Sequence, residues 1–162
     1  MFDLRNALPF VLHRAASRMA GDFAARELAR SGATLPMYNV LATLVRHDDQ
    51  RLGDLAVLAD MEISTLSRLI GAMQARRLVS RRRSGKDARA VRIRITDHGR
   101  SLSQKLIAAA TSYEAAMTRS LVPRQVQELK RALVQIHDTV AALEAERPNG
   151  GRAKAVRRAS AA

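Results

Sequence analysis

The chain has no cysteine. Disulfides, thiolate zinc sites and thiol-based redox sensing are therefore excluded, and the composition fits a reducing compartment. Tryptophan is also absent, and three Phe with two Tyr bring the aromatic content to only 3%. Acids are scarce: 15 Asp and Glu stand against 28 Lys and Arg, for a net charge of +13. No long apolar run occurs. The run Ala7–Leu12, "ALPFVL", is too short for the apolar region of a signal peptide and far too short to span a bilayer. Residues 1–30 are rich in Arg and Ala, as transit peptides are, but Asp3, Asp22 and Glu27 argue against one. The sequence reads as soluble and cytoplasmic. The four histidines, His13, His47, His98 and His137, show no metal-binding spacing, and no phosphate-loop, nucleophile-elbow or zinc-helix motif is present. "HDD" at 47–49 reads as a weak cation site or as a solvated loop. No catalytic centre, metal or cofactor is expected, and the chain is not read as an enzyme.

What is present is enough apolar material for one domain. The 162 residues are 47% hydrophobic, close to the globular norm. A cation excess of this size points to an anionic partner, nucleic acid first and an anionic membrane surface second. The cations are not spread evenly. "SRRRSGKDARAVRIRIT", Ser80 to Thr96, holds seven of them, and residues 76–100 hold ten Arg or Lys against two Asp. Such charge repels itself in the free protein, so it calls for something that neutralises it.

Leu4, Leu8, Leu12, Ala15, Met19 and Phe23 recur at helical spacing, with Pro9 as either a kink or the true start of that helix. "SGAT" at 31–34 is a break in which Thr34 can cap a second helix, Leu35–Val45, and "RHDDQR" at 46–51 reads as a polar loop. Leu52, Leu55 and Leu58 begin a short helix, and a break follows near Asp60–Glu62. The next helix carries Leu66, Leu69, Ile70 and Met73 as one buried stripe, so the pair reads as a helix-turn-helix. Residues 78–83 and 90–95 then read as a hairpin closed by "SGKDA", with Val91, Ile93 and Ile95 inward and Arg92 and Arg94 outward. Thr96 can cap a long helix. From Val122, next to Pro123, the residues Val122, Val126, Leu129, Leu133, Ile136, Val140 and Leu143 form a seam in alternating steps of four and three. That seam has more apolar length than one helix needs to pack on a small module, although part of it could pack within the chain. Residues 147–162 lack periodicity and read as a disordered basic tail.

Opposite the stripe Leu66/Leu69/Ile70/Met73, the helix presents Ser64, Arg68, Gly71 and Ala75, flanked by Thr65, Ser67 and Ala72. Small residues permit close approach to a major groove, hydroxyls reach phosphates or base edges, and Arg can pair with guanine. The hairpin adds Arg81, Arg83, Lys86 and Arg89 within reach of phosphates and a neighbouring minor groove. Double-stranded DNA is thus the expected partner. A basic RNA- or ribosome-associated structural protein is the alternative. It would need exposed aromatics for base stacking, and none lies in the basic region. A membrane partner is disfavoured because the cations sit on a hairpin and a tail rather than along an amphipathic helix.

These residues resemble the winged helix-turn-helix of MarR-family transcriptional regulators. The matching features are Leu52–Ala56, the Ser64/Thr65/Ser67/Arg68 helix, Arg77–Arg81 leading into the wing, Asp87 and Arg89 at its tip, and Val91–Ile95, Thr96 and Gly99 leading out. Arg77 departs from the family, which usually has Gly there, and "LPMYNV" (35–40) replaces its commoner opening of the second helix. The resemblance implies a mainly α fold with a small β-hairpin wing. It implies that residues 1–34 and 101–146 form dimerisation helices around a DNA-binding module at 35–100. It implies a homodimer whose interface includes Leu4 and Leu8 together with Val126, Leu129, Leu133, Ile136, Val140 and Leu143. Arg89 would enter the minor groove while Asp87 orients the wing. A small-molecule effector is expected in the cleft between the dimerisation helices and the module. His13, Arg14, Arg18 and Tyr38 are the groups best placed to line it, and Arg would suit an anionic aromatic or acyl ligand.

Overall fold

A computed structural model describes residues 3–83 and 91–146. After a 3-10 turn at Leu4–Asn6, helix α1 runs from Leu8 to Phe23. Pro9 lies in its first turn, where the missing N–H has no intrahelical partner to lose, so this proline marks the start and not a kink. The helix then passes through a π-helical turn, Ala24–Leu28, and a 3-10 turn, Ala29–Ser31, and stops at Gly32 with φ 61°. Helix α2 is Leu35–Arg46, and its cap is Thr34, whose Oγ1 accepts from the Met37 N–H at 3.4 Å.

Helices α3 (Leu52–Leu58) and α4 (Ile63–Ala75) form the helix-turn-helix. Between them Asp60 adopts φ 49°, a left-handed conformation that a short polar side chain tolerates. Helix α4 ends in a paired motif. The Leu78 N–H donates to the Met73 carbonyl and the Arg77 N–H to the Gln74 carbonyl, each at 2.9 Å, with Arg77 left-handed at φ 56°.

Strands β1 (Gln50–Arg51), β2 (Val79–Arg83) and β3 (Val91–Ile95) form one antiparallel sheet in the order β1-β3-β2. The hairpin pairs Val79 with Ile95 and Arg83 with Val91. The short β1 corrects the expectation of a polar loop at 46–51: Gln50 pairs with Ile93 and Arg51 with Arg92. Two residues carry no alternation to read, and the pairing comes from the open edge of β3, which lies far away in sequence.

The main core gathers Val40, Leu41, Leu44, Leu55, Leu66, Ile70, Met73, Leu78 and Ile93, all essentially buried. Leu69 of the expected stripe packs at its edge, half-buried. A smaller cluster holds Phe23, Leu28, Ala33 and Leu106, with Tyr38 and Tyr113 at its margin. Helix α5 (Asp97–Met117) opens on Thr96, whose Oγ1 accepts from the Gly99 N–H at 3.0 Å and lies 2.6 Å from the Arg77 carbonyl oxygen. Gly99 is required by that approach, because a Cβ there would run into the Leu78 carbonyl.

Helix α6 (Pro123–Glu146) differs from the rest: none of its residues is buried. An ion pair between Lys130 and Glu114, 2.5 Å apart, links it to α5. Leu4, Leu8, Val11 and Met19 at the other end of the chain are also exposed. The architecture is mainly helical with a small sheet, as expected from the sequence. The hairpin tip and the basic tail fall outside the described residues.

Candidate nucleic-acid interface

Helix α4 is fixed by its inner stripe. Leu66, Ile70 and Met73 are fully buried, which turns Ser64, Thr65, Arg68, Gly71, Ala72 and Ala75 to solvent. No acid lies on that outer face. At Gly71 an added Cβ would meet nothing within 4 Å, so the helix backbone there stands open to close approach. The Arg68 guanidinium makes only a long local contact, its Nε 3.4 Å from the Ser64 carbonyl oxygen. Ser67 is half-buried at the flank.

The strands bring their cations beside this face. Arg81 Nη2 donates to the Ser67 carbonyl oxygen at 2.9 Å, tying β2 to the middle of α4. Arg82 faces Arg92 in the strand register, and like charges placed directly opposite are unfavourable. Asp49 relieves this pair: its Oδ2 lies 3.0 Å from Arg92 Nε as an ion pair, and Arg92 Nη2 also donates to the Asp49 carbonyl oxygen. The Arg92 guanidinium holds the Asp49 carboxyl below the usual carboxylate range, against a smaller opposing effect of burial. Arg92 is thus engaged inside the protein, while Arg82 and Arg94 are exposed. Arg83 ends β2. Lys86, Asp87 and Arg89 lie outside the described residues.

The "HDD" segment serves the same sheet. Asp48 Oδ1 accepts from its neighbour Asp49 N–H at 2.8 Å and from the Ile95 N–H at 2.9 Å, and its Oδ2 pairs with Arg100 at 3.3 Å. It is a clasp between the α2–β1 connection, β3 and α5. Among the described residues no group of His, Asp and Glu could hold a metal ion.

The four residues singled out for an effector separate. His13, Arg14 and Arg18 line an open groove along α1, together with Arg5. Tyr38 lies elsewhere, its ring 5.6 Å from Phe23 in an edge-on contact, with Tyr113 5.4 Å from Phe23 on another side. Burial raises the pKa of both tyrosines. Asp22, paired with Arg26 at 2.9 Å, is held below its ordinary value chiefly by that guanidinium. The residues singled out for dimerisation share one property, incomplete burial. Leu4, Leu8, Leu129, Leu133, Val140 and Leu143 are exposed, and Val126 and Ile136 are half-buried. Among the described residues no helix is long and apolar enough to cross a membrane.

A helix-turn-helix followed by a cationic hairpin, with an acid-free outer face on its second helix, defines a winged-helix DNA-binding protein. Comparison with known proteins agrees. A family model described as transcriptional regulator SarA/Rot matches residues 29–106, which span α2 through the first half of α5. The chain is 25% identical over 137 residues to the organic hydroperoxide resistance transcriptional regulator of Bacillus subtilis, covering 85% of this chain and 91% of that protein. A MarR-family regulator from Silicibacter pomeroyi shares 29% identity and a TM-score of 0.70, covering 84% of this chain and 98% of that one. The M. tuberculosis regulator MosR, solved in complex with DNA, shares 26% identity and a TM-score of 0.70 over 85% of this chain and 98% of its own. The chain thus shares the winged-helix fold of MarR-family regulators and resembles transcriptional regulators of that type in sequence.

Sequence reasoning missed three residues that the geometry makes prominent. The sequence places Asp48 only in a polar loop or weak cation site. Arg76 stands in the sequence only as one of the ten cations of residues 76–100. Ile63 stands at the head of α4 with an apolar side chain in solvent. Helical spacing assigns Ile63 to the buried stripe, so no local signal distinguishes it.

Proposed function

We propose that the chain is a homodimeric repressor that binds a pseudo-palindromic operator and is released by a small anionic ligand. In this reading residues 35–100 read the DNA, residues 1–34 and 101–146 dimerise, and the basic tail at 147–162 adds non-specific affinity. The protein would act in the cytoplasm. Helix α4 enters the major groove with Ser64, Thr65, Ser67 and Arg68 toward bases and phosphates. Arg81 braces the helix from the wing, and Arg83, Lys86 and Arg89 extend the contact to the backbone and the adjoining minor groove, with Asp87 orienting the tip. The observation that carries the proposal is the acid-free, open outer face of α4 beside the cations of β2 and β3. Phosphates would neutralise the charge that the free protein must tolerate, and released counterions would add to affinity.

The dimer is supported by α6, which carries an apolar seam with no fully buried residue and most of it exposed. With two copies of α4 on one face of the duplex, half-sites would lie about one helical turn apart, roughly 10 base pairs. For the effector, the groove of Arg5, His13, Arg14 and Arg18 offers cations suited to a carboxylate. The Bacillus relative is named for organic hydroperoxide resistance, but a chain without cysteine presents no thiol to such an oxidant.

The test is a titration of Arg68→Ala against an operator, selected from random duplexes by the full-length chain, and against scrambled DNA. Loss of Arg68 is expected to cost about 1–3 kcal/mol on the operator and little on scrambled sequence. Equal losses on both would remove α4 from the role of reader.

A further inference from the structure

We infer that Ile63 reads sequence as well, and that its target is the 5-methyl group of a thymine in the major groove. This rests on the proposal that α4 is the reading helix. Ile63 is the first residue of α4 and is 55% exposed, whereas Leu66, Ile70 and Met73, which continue its helical row, are each at 0%. All but two of the exposed large apolar side chains among the described residues lie on or beside the terminal helices, where a partner subunit is proposed to cover them. The two exceptions are Leu58, at the end of α3, and Ile63.

The setting of Ile63 favours a base contact. Its side chain leans over the first turn of α3, where a Cβ added at Gly53 would lie 3.8 Å from Ile63 Cδ1. Glycine leaves that side open, so the isoleucine rests against α3 without being buried by it. Ser64 and Thr65 follow it into solvent, and Arg68 lies further along the same exposed helix. The first turn of a recognition helix is the part that meets base edges. In the major groove those edges are donors and acceptors with one apolar exception, the thymine methyl. A β-branched side chain is stiff about χ1, so little side-chain freedom remains to be lost on contact.

The experiment uses the full-length chain and its selected operator. Each thymine of one half-site is replaced singly by deoxyuridine, which removes only the methyl group, and binding is measured for the wild type and for Ile63→Ala. One replacement should weaken wild-type binding about fourfold, the affinity equivalent of withdrawing one methyl-sized group from water. Ile63→Ala should bind the parent operator correspondingly more weakly and be indifferent to that replacement. Unchanged affinity of the variant for scrambled duplex would show that it is folded. The inference is overturned if no thymine methyl is felt by the wild type alone, or if the half-site has no thymine under the head of α4. Failure to select any operator would instead overturn the reading of α4 on which the inference rests.

Discussion

Arg76, just beyond the C-terminus of α4, donates from Nη1 to the carbonyl oxygen of Gly32, 2.6 Å away and 44 residues earlier in the chain. Its Nη2 reaches the Ser31 carbonyl oxygen at 2.8 Å, and Nη1 also lies 3.4 Å from Met37 Sδ. One guanidinium thereby ties the end of α4 to the corner between α1 and α2. A cation is favoured at a helix C-terminus by the exposed carbonyls there. The fork of Arg suits two adjacent carbonyl acceptors in a way that a lysine ammonium does not.

Arg76→Ala should therefore lower stability by about 1.5–3 kcal/mol, the range for hydrogen bonds made by a charged donor. Arg76→Lys should restore only part of the loss. Denaturant midpoints of the three proteins check this. Equal stability of wild type and Arg76→Ala would show that the link carries no weight.

Arg77 gives the opposite expectation. It holds φ 56° at the left-handed position closing α4, where a side chain costs about 1–2 kcal/mol that glycine does not. Arg77→Gly should gain about 1 kcal/mol in thermal or chemical unfolding, since glycine's greater freedom in the unfolded chain takes back part of the relief. Arg77→Ala should gain little, because its Cβ keeps the strain. A glycine variant no more stable than the alanine variant would refute the backbone account.

Asp48 holds the sheet to α5 by accepting from the Ile95 N–H and pairing with Arg100. Asp48→Ala leaves that amide without its acceptor and should cost about 1–3 kcal/mol. Asp48→Asn keeps an acceptor and should cost less. The neighbouring Asp49–Arg92 pair adds a pH dependence. Because Asp49 has a lowered folded-state pKa, its contribution is present above the ordinary carboxylate range and is lost as pH falls through the folded value. Asp49→Asn should flatten the acid limb of the stability profile, and a profile identical to wild type would exclude the pair from it.

The elements were legible where one periodicity governed them. Leu66, Ile70 and Met73 announced the buried side of α4, and Ile93 and Ile95 that of β3. Thr34 and Thr96 announced two helix starts through their capping hydroxyls. The missing glycine before Leu78 was visible as an oddity, and φ at Arg77 gives it a physical meaning. What stayed hidden depends on contacts distant in sequence. Gln50 becomes a strand because Ile93 presents an open edge. Asp48 becomes a clasp because Ile95 turns an N–H toward it, and Arg92 is withdrawn from the outward basic face because Asp49 stands beside it. Ile63 obeys the spacing of the buried stripe and is nevertheless exposed at the head of α4, beside Gly53 of α3.

The final prediction concerns α6. Its 24 residues make a helix about 36 Å long with no fully buried residue in a single chain. Amphipathic helices draw most of their stability from packing, not from propensity. The exposed Leu129, Leu133, Val140 and Leu143, with half-buried Ile136 between them, are then the surface that a second subunit would cover. Placing Asp at both Leu133 and Ile136 would put two charges into that seam. The variant should lose the dimer in light scattering and lose helical signal matching α6. The module core around Leu41, Leu55 and Ile70 does not include α6 and offers no direct reason to melt with it. Operator binding should fall steeply, because two half-sites can no longer be engaged together. A monomer with full helical content and unimpaired operator affinity would show that α6 is stable alone and that the seam is not the dimer interface.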